Sequence, residues 1–213
     1  MTKTKFLQLI EKVSGKLAPG RTPTFTEAHV VKAIEILGTE GPMGRIRLST
    51  ILGLGEGETR TLVRHLRNED IIEISRAGIV LSQFGKELLS DLRSKLSEEM
   101  EVPESSLTVG PCNMGVLVKD VAEFVKYGLE QRDAAIRIGA LGATTLVFRN
   151  GRLTMPGVSE DVFRGIPSIR RMLMTRLKPE ENDVIIIGSA NDKSTAEFAA
   201  KTVALKLLES KSE

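Results

Sequence analysis

The sequence predicts an α+β protein built from two parts. Its 213 residues allow two small domains. Residues 1–96 carry 15 Lys and Arg against 11 Asp and Glu, whereas residues 97–213 carry 15 against 17. The spacing of apolar residues also changes from mainly helical to strand-like near this point. We therefore predict domains over 1–97 and 107–213, joined by an acidic linker with Pro and Ser at 98–106.

Composition excludes several classes of protein. One cysteine, Cys112, cannot build a disulfide framework or a cysteine-rich metal site, and two histidines are too few for a His-based site. Paired catalytic carboxylates and nucleophile–base pairs do not stand out, so we expect no enzymatic activity, no metal and no cofactor. No apolar run reaches the roughly 18 residues of a membrane span, which predicts a cytoplasmic protein without membrane contacts.

The first part is predicted to be helical, with a hairpin near its end. Apolar residues recur at helical spacing in four segments that glycine and proline turns separate. After the fourth segment, two short β-branched runs flank the turn at 76–78 and predict a hairpin. The predicted helices cover 4–17, 27–37, 46–54 and 58–68, the predicted strands 71–74 and 79–81, and the following helix 82–97.

This order of elements resembles a winged helix-turn-helix domain. Residues 48–72 are similar to its short helix, turn, recognition helix and exit into the wing, and residues 81–89 are similar to the start of the helix that follows the wing. The resemblance covers about residues 25–96. It implies that double-stranded DNA is the partner and that helix 58–68 lies in the major groove.

The residues expected at DNA follow from the helical face. With Leu62, Val63 and Leu66 turned to the core, the opposite face of the recognition helix carries polar residues that can reach base edges or phosphates. We expect base contacts from Arg60, Thr61 and Arg64, and phosphate contacts from arginines before the short helix and at the wing tip. The full predicted DNA-binding set is Arg45, Arg47, Glu58, Arg60, Thr61, Arg64, His65 and Arg76.

Charge leaves a second interpretation of this domain open. Residues 41–76 contain six arginines but also five acidic residues, which is a thin basic patch for a DNA reader. Winged helices also serve as protein-interaction modules. Leu88, Leu92 and Leu96 recur every four residues and either pack on their own domain or pair with a second chain, and two-fold dimers are common among helix-turn-helix proteins.

The second part predicts a small α/β domain. Asn150-Gly151 between two alternating runs is a strong hairpin signal, and the apolar run at 183–188 predicts a buried strand. Strands are predicted at 107–110, 134–139, 144–148, 152–155 and 183–188, and helices at 116–130, 167–177 and 193–209. This order predicts a mixed sheet with helices packed on it. A phosphate-binding glycine motif is absent from the sequence.

Two loops of this part are candidates for a ligand site. Residues 110–115 and 188–195 each join a predicted strand end to a predicted helix start, where free backbone N–H groups can bind an anion or a carboxylate. If the two strands are neighbours, both loops open into one crevice. The predicted ligand-binding residues are Gly110, Cys112, Asn113, Gly115, Gly188, Ser189, Asn191, Asp192, Ser194 and Thr195. Alternatively, they are ordinary capping and turn residues.

The whole chain resembles an archaeal family of uncharacterised proteins with an amino-terminal winged helix and a carboxy-terminal α/β domain of unknown function. Residues 109–112, 137–156 and 183–188 with the following helix carry this resemblance. It implies a regulatory role without an assigned substrate. The sequence thus predicts a homodimeric DNA-binding transcriptional regulator whose second domain binds a small effector or mediates assembly. The alternative is a metabolite-binding protein or enzyme whose winged helix makes protein contacts only.

Overall fold

The computed structural model describes residues 5–15, 23–158 and 161–211. The chain forms two compact units, Met1–Arg93 and Ser94–Glu213. Both units combine helices with an antiparallel sheet, which confirms the α+β fold class. In the described residues, no helix is long and apolar enough to cross a membrane.

The first unit has the predicted order of elements. A short antiparallel hairpin follows four helices and leads into a fifth. Its elements are α1 (Lys5–Ser14), α2 (Glu27–Glu40), α3 (Arg45–Leu52), α4 (Glu56–Asn68), β1 (Ile72–Ser75), β2 (Gly78–Leu81) and α5 (Gln83–Arg93). The predicted first helix also included residues 4 and 16–17, which lie outside the described residues.

Local chemistry fixes where these helices begin and end. Thr26 caps α2 in a reciprocal box with His29, whose Nδ1 accepts the Thr26 backbone N–H at 3.1 Å. Gly53 ends α3 with φ of 65°, a left-handed conformation in which glycine carries little steric cost. The buried faces of α1, α2, α4 and α5 supply the core of the unit.

The second unit is a five-stranded sheet with helices on both faces. The strand order is β3-β4-β7-β5-β6, and each of the four described strand pairs is antiparallel. The prediction of a mixed sheet is therefore wrong, because the described strands pair only in the antiparallel direction. The elements are β3 (Met100–Glu101), β4 (Cys112–Val118), α6 (Leu129–Arg137), β5 (Gly142–Arg149), β6 (Arg152–Thr154), α7 (Pro167–Leu177), β7 (Val184–Ala190) and α8 (Lys193–Ser210).

Three predicted elements of this unit are wrong. The predicted helix 116–130 begins inside β4, because a strand buried on both faces has the same continuous apolar run as a buried helix. The predicted strand 134–139 falls largely within α6, whose buried alanines favour a helix. The predicted strand 107–110 is instead a turn followed by a bend, in which the Thr108 backbone N–H donates to the Ser105 carbonyl.

The predicted linker 98–106 is also wrong, because it belongs to the second unit. Met100–Glu101 pairs with β4, and the Val102 N–H donates to the Asn113 carbonyl at 3.0 Å. Glu99 forms an ion pair with the fully buried Lys201 of α8. Composition suggested a linker, but the buried side chains of Met100 and Val102 tie this segment to the sheet.

The sheet separates two apolar layers. On one face, α7 packs against a cluster that includes Leu117, Leu146 and Ile185. On the other face, α8 lies so close to β7 that a Cβ at Gly188 would be 2.5 Å from the Ala196 carbonyl oxygen. Because β4 and β7 are neighbours in the middle of the sheet, the start of β4 and the end of β7 lie side by side.

Candidate nucleic-acid interface

The outer face of α4 carries a row of arginines. Leu62 and Leu66 are fully buried, and they anchor the helix on the core of the first unit. Arg60, Arg64 and Arg67 are exposed and follow at spacings of four and three residues. Residues at these spacings lie on one side of a helix, so the three guanidinium groups project together.

These arginines line a cleft between α4 and the hairpin. The cleft has a volume of about 500 Å³ and includes a fourth arginine, Arg45, from the first turn of α3. On the hairpin side it is lined by Ile74, which is 55% exposed, and by the buried Ile79. The residues that line the cleft are Met43, Gly44, Arg45, Arg60, Val63, Arg64, Arg67, Asn68, Ile74, Gly78 and Ile79. None of them is acidic.

The hairpin is held against the turn that precedes α3. Met43 and Ile79 exchange backbone hydrogen bonds of 2.9 and 3.0 Å. Gly78 adopts φ of 130°, and a Cβ there would lie 2.8 Å from the Met43 carbonyl oxygen. This close approach requires glycine, and it holds the hairpin against the turn that precedes α3.

His65 does not belong to this surface. Its side chain is 3% exposed, its Nδ1 lies 2.8 Å from the Val13 carbonyl oxygen, and its ring meets the edge of Phe25. A buried carbonyl needs a donor, so the imidazole serves as an internal hydrogen-bond donor. The prediction of a DNA contact from His65 is wrong, because the residue lies on the inner side of α4.

Two further predicted residues of α4, Glu58 and Thr61, are half-buried. The Glu58 carboxylate accepts the Thr24 backbone N–H at 3.3 Å, which ties it to the segment before α2. The Thr61 hydroxyl donates to the Gly57 carbonyl at 3.1 Å, which leaves its lone pairs available as acceptors.

Two further predicted arginines are exposed outside the lining of the cleft. Arg47 donates to Glu40 at 2.6 Å, so its charge is already matched by a carboxylate. Arg76 lies in the turn of the hairpin. Sequence reasoning missed Arg67, although its spacing from Arg60 and Arg64 was a usable signal.

The predicted ligand residues of the second unit lie at one end of β4 and β7. Asn113 is opposite Ser189, and the Ser189 hydroxyl donates to Asn113 Oδ1 at 2.6 Å. Cys112 Sγ lies 3.7 Å from the Asn191 carbonyl oxygen. The structure thus brings the two predicted segments together, although much of each is strand rather than loop.

Several of these residues have structural roles. Asp192 caps α8 by accepting the Thr195 N–H at 2.9 Å, and this hydrogen bond holds the pKa of Asp192 below its usual value. Gly188 allows close packing of α8, and a Cβ at Gly110 would lie 2.8 Å from the Ala190 carbonyl oxygen. Gly115 faces Val102, and Ser194 is exposed at the start of α8.

A second cleft, of about 470 Å³, opens at this end of the sheet. It is lined by Cys112, Asn113, Met172 and Lys193, together with residues 101–104, Pro111 and Met114. Asn113 is 4% exposed, and its Nδ2 is buried without a hydrogen-bond acceptor in the described residues. A hydrogen bond to Glu101 raises the pKa of Lys193. Across the residues described, no group of His, Cys, Asp and Glu could hold a metal ion.

Comparison with known proteins relates both units to described families. Residues 29–96 match the model of the CggR N-terminal DNA-binding domain, and residues 109–207 match that of a domain of unknown function, DUF4443. No curated protein matches the chain. A solved structure, hypothetical protein PH0730 from Pyrococcus horikoshii OT3, is 30% identical with a TM-score of 0.72, and the match covers 89% of this chain and 96% of that one. The chain therefore belongs to the family of this archaeal protein, with an amino-terminal domain of DNA-binding type followed by a domain of unknown function.

Proposed function

We propose that the protein is a transcriptional regulator that binds double-stranded DNA through its first unit and acts as a homodimer in the cytoplasm. The observation that carries this proposal is the cleft between α4 and the hairpin. Four guanidinium groups line it, none of its lining residues is acidic, and within the described ranges none of the four arginines forms an ion pair. A row of cations beside an exposed helix matches the charge and shape of the duplex.

The acidic and basic residues of this region differ in where they lie. Residues 41–76 carry almost as many acidic as basic groups, but the acidic groups do not line the cleft. Glu58 is tied to the Thr24 backbone, and Glu69 pairs with Lys12 at 2.7 Å. The cleft is therefore lined by positive charge without a carboxylate, while Glu56 lines an adjoining pocket with Arg45 and Arg60. This distribution supports DNA over a general protein-interaction role.

The residues divide by the contact that each can make. Arg60 and Arg64 project from the middle of α4, where a guanidinium can donate two hydrogen bonds to guanine. Thr61 keeps an acceptor for a base edge. Arg45 and Arg67 lie at the borders of the cleft and bind phosphates, which set the register without reading sequence. Arg76 in the wing turn contacts the backbone, and Arg47 does so after release from Glu40.

Fluorescence anisotropy with a pool of randomised DNA duplexes tests this function. We expect binding at low salt, enrichment of a preferred sequence on selection, and a loss of about tenfold or more in affinity for that sequence in Arg64→Gln, as for a bidentate base contact worth about 1–3 kcal/mol. Lys86→Gln is the matched control, because it removes the same charge from α5 outside the cleft. Absence of binding at low salt, or equal losses in both variants, would overturn the proposal.

The second unit is proposed to bind a small effector where β4 starts, beside the end of β7. The supporting observation is the buried Asn113 amide, whose Oδ1 accepts from Ser189 while its Nδ2 has no acceptor among the residues that the structure describes. An unpaired buried donor costs about 1–3 kcal/mol, and a ligand oxygen would recover that free energy. The second cleft also has apolar walls from Met172, Val102 and Met114, which suit a small molecule with a carbonyl or carboxylate group.

Thermal-shift screening of carboxylate and carbonyl metabolites tests the effector site. A stabilising compound should lose its effect in Asn113→Ala, whereas a variant of an exposed residue outside the second cleft, Arg149→Gln, should respond like the wild type. Stabilisation by a metabolite in a protein that binds no DNA would favour the alternative of a metabolite-binding protein. Equal stabilisation of Asn113→Ala would refute this location for the effector site.

A further inference from the structure

Positive charge in the second part of the chain is concentrated in one segment. Residues 149–178 carry seven Arg and Lys against two acidic residues, Glu160 and Asp161. The rest of residues 97–213 carries eight Arg and Lys against 15 acidic residues. A part of the chain that is slightly acidic overall therefore contains one strongly basic segment. Charge that is segregated in this way attracts ligands of the opposite sign.

The structure brings arginines of this segment together at the edge of the sheet. β6 is an outer strand of the five-stranded sheet. A cleft of about 380 Å³ at this edge is lined by Arg152 from β6, by Arg170 from α7 and by residues of the segment between them. Arg171 follows Arg170 and is also exposed. We call Arg152, Arg170 and Arg171 the edge arginines, and in the described residues none of them forms an ion pair.

Folding does not favour the positions of these charges. Arg152 lies directly opposite Arg149 in the β5–β6 ladder, and like charges at such positions destabilise a strand pair. Arg170 is the fourth residue of α7, whose first turn contains no acidic residue. The N-terminal end of a helix is the positive end of its dipole, so a cation there is unfavourable. A bound anion would offset both repulsions.

Nearby carboxylates are held by the backbone. Asp161 lines the same cleft, and its Oδ1 accepts the Phe163 N–H at 3.0 Å. Glu181 accepts the Asn150 N–H in the β5–β6 turn, with oxygens at 2.9 and 3.0 Å. Throughout the described ranges, neither carboxylate pairs with an edge arginine. The guanidinium donors of the edge arginines therefore remain available to a partner.

Phosphate is the anion that suits these side chains, because a guanidinium can donate two parallel hydrogen bonds to it. Charged side chains on an edge strand also block the addition of further strands, but that role needs no arginine on α7. Single-stranded nucleic acid is held by several exposed aromatic rings, on which successive bases stack. The one aromatic residue of segment 149–178, Phe163, is buried. A duplex backbone requires only cations.

We propose that the edge arginines form a second DNA-binding surface, which binds phosphates of duplex DNA without reading the sequence. This inference goes beyond the proposed function, which assigns DNA to the first unit, but the choice of duplex DNA as the polyanion rests on it. Since both units belong to one chain, a duplex bound by the first unit is present at high effective concentration for the second. The full chain then neutralises more phosphates than the cleft at α4 alone.

The salt dependence of binding by the full-length protein tests this surface. The probe is a fluorescent duplex of mixed sequence and about 40 base pairs, or four helical turns. R152Q/R170Q should reduce the slope of log K against log salt by about 2, because two phosphate contacts are lost. The matched control is R137Q/K206Q, which removes the same charge from exposed positions on α6 and α8, two helices that pack together. Equal slopes in the two double variants would overturn the proposal.

Chemical footprinting locates the contact without a substitution. Phenylglyoxal modifies exposed arginines, and mass spectrometry measures the rate at each residue. The duplex should slow the modification of Arg152 and Arg170 severalfold and leave that of Arg137 unchanged. Unchanged rates at Arg152 and Arg170 would overturn the proposal. Equal protection by inorganic phosphate, at the phosphate concentration of the duplex, would also overturn it, because it would indicate a site for a small anion.

The two DNA-binding surfaces fail in different ways. Arg64→Gln should lose sequence preference, whereas R152Q/R170Q should keep the preference and lose only salt dependence. A wild-type slope in R152Q/R170Q, with the loss in Arg64→Gln intact, would refute the second surface and leave the proposed function standing. The reverse pattern would refute DNA recognition by α4 and support the edge arginines. Thermal unfolding checks the fold, and R152Q/R170Q should not lower the Tm, because it removes like-charge repulsion.

Discussion

The replacement of Gly188 by alanine should destabilise the second unit strongly. Gly188 lies on β7 where α8 crosses it, and the added Cβ would be 2.5 Å from the Ala196 carbonyl oxygen and 2.7 Å from the Ala200 nitrogen. Ordinary contacts of this kind begin near 3.4 Å. The helix backbone must therefore move by roughly 0.7–0.9 Å, in a core packed as densely as an organic crystal. We expect a loss of about 2–4 kcal/mol, at the upper end of overpacking effects.

The assay is thermal unfolding followed by circular dichroism, with each unit's transition analysed separately. A loss of this size should lower the Tm of the second unit by about 10 °C. Gly142→Ala is the matched control, because its Cβ would approach only side-chain atoms, Val109 Cγ2 at 3.2 Å and Arg132 Cγ at 3.8 Å. If Gly188→Ala were as stable as Gly142→Ala, the close packing of α8 on β7 would be refuted. Gly188 would then again be a candidate for ligand contact.

Two further predictions concern titratable groups. Burial, with a contribution from Lys32, lowers the pKa of His29 from 6.5 to about 4. Between these two pH values the imidazole is protonated in the unfolded chain but neutral in the folded first unit, so the stability falls as the pH falls. The wild type should lose about 1–2 kcal/mol between pH 6.5 and 4 after allowance for solvent screening, whereas His29→Gln, which keeps the cap acceptor, should lose less. Chemical denaturation at several pH values measures the difference, and an equal loss would contradict the role of the ring. In the second unit, Lys201→Ala should cost about 3–5 kcal/mol by denaturant titration, because it leaves the Glu99 carboxylate without its buried partner. K201M combined with E99Q should recover most of that loss, and an unaltered stability of Lys201→Ala would exclude the ion pair as a structural element.

Local signals made the first unit predictable. Its helices are amphipathic, glycine and proline mark its turns, and its hairpin has a short turn before Gly78, so each element is specified by neighbouring residues. The same method misplaced His65, because a single residue, or about 100° of rotation, separates the exposed Arg64 from the buried His65 on α4. Arg67 lies three residues after Arg64 on the same side of α4, so the spacing that predicts Arg60 and Arg64 also applies to it.

The second unit was harder because its elements depend on distant partners. The apolar run in β4 is buried by both the α7 and the α8 layers, so it carries no period that separates strand from helix. The strand predicted at 134–139 rested on Ile136 and Ile138, and Ile136 is exposed on α6 instead of facing the core. The sequence predicted that the loops after strands 107–110 and 183–188 open into one crevice if those strands are neighbours. The antiparallel pairing of β4 with β7, which places Cys112 opposite Ala190, was not visible in the sequence.

The salt dependence of DNA binding tests the central claim most directly. If the cleft binds phosphates, the affinity of the wild type must fall as salt rises, and removal of one phosphate contact should reduce the slope of log K against log salt by about 1. We predict this reduction for Arg67→Gln and an unchanged slope for Lys86→Gln. The same slope in Arg67→Gln and Lys86→Gln would contradict the assignment of this cleft as the DNA interface.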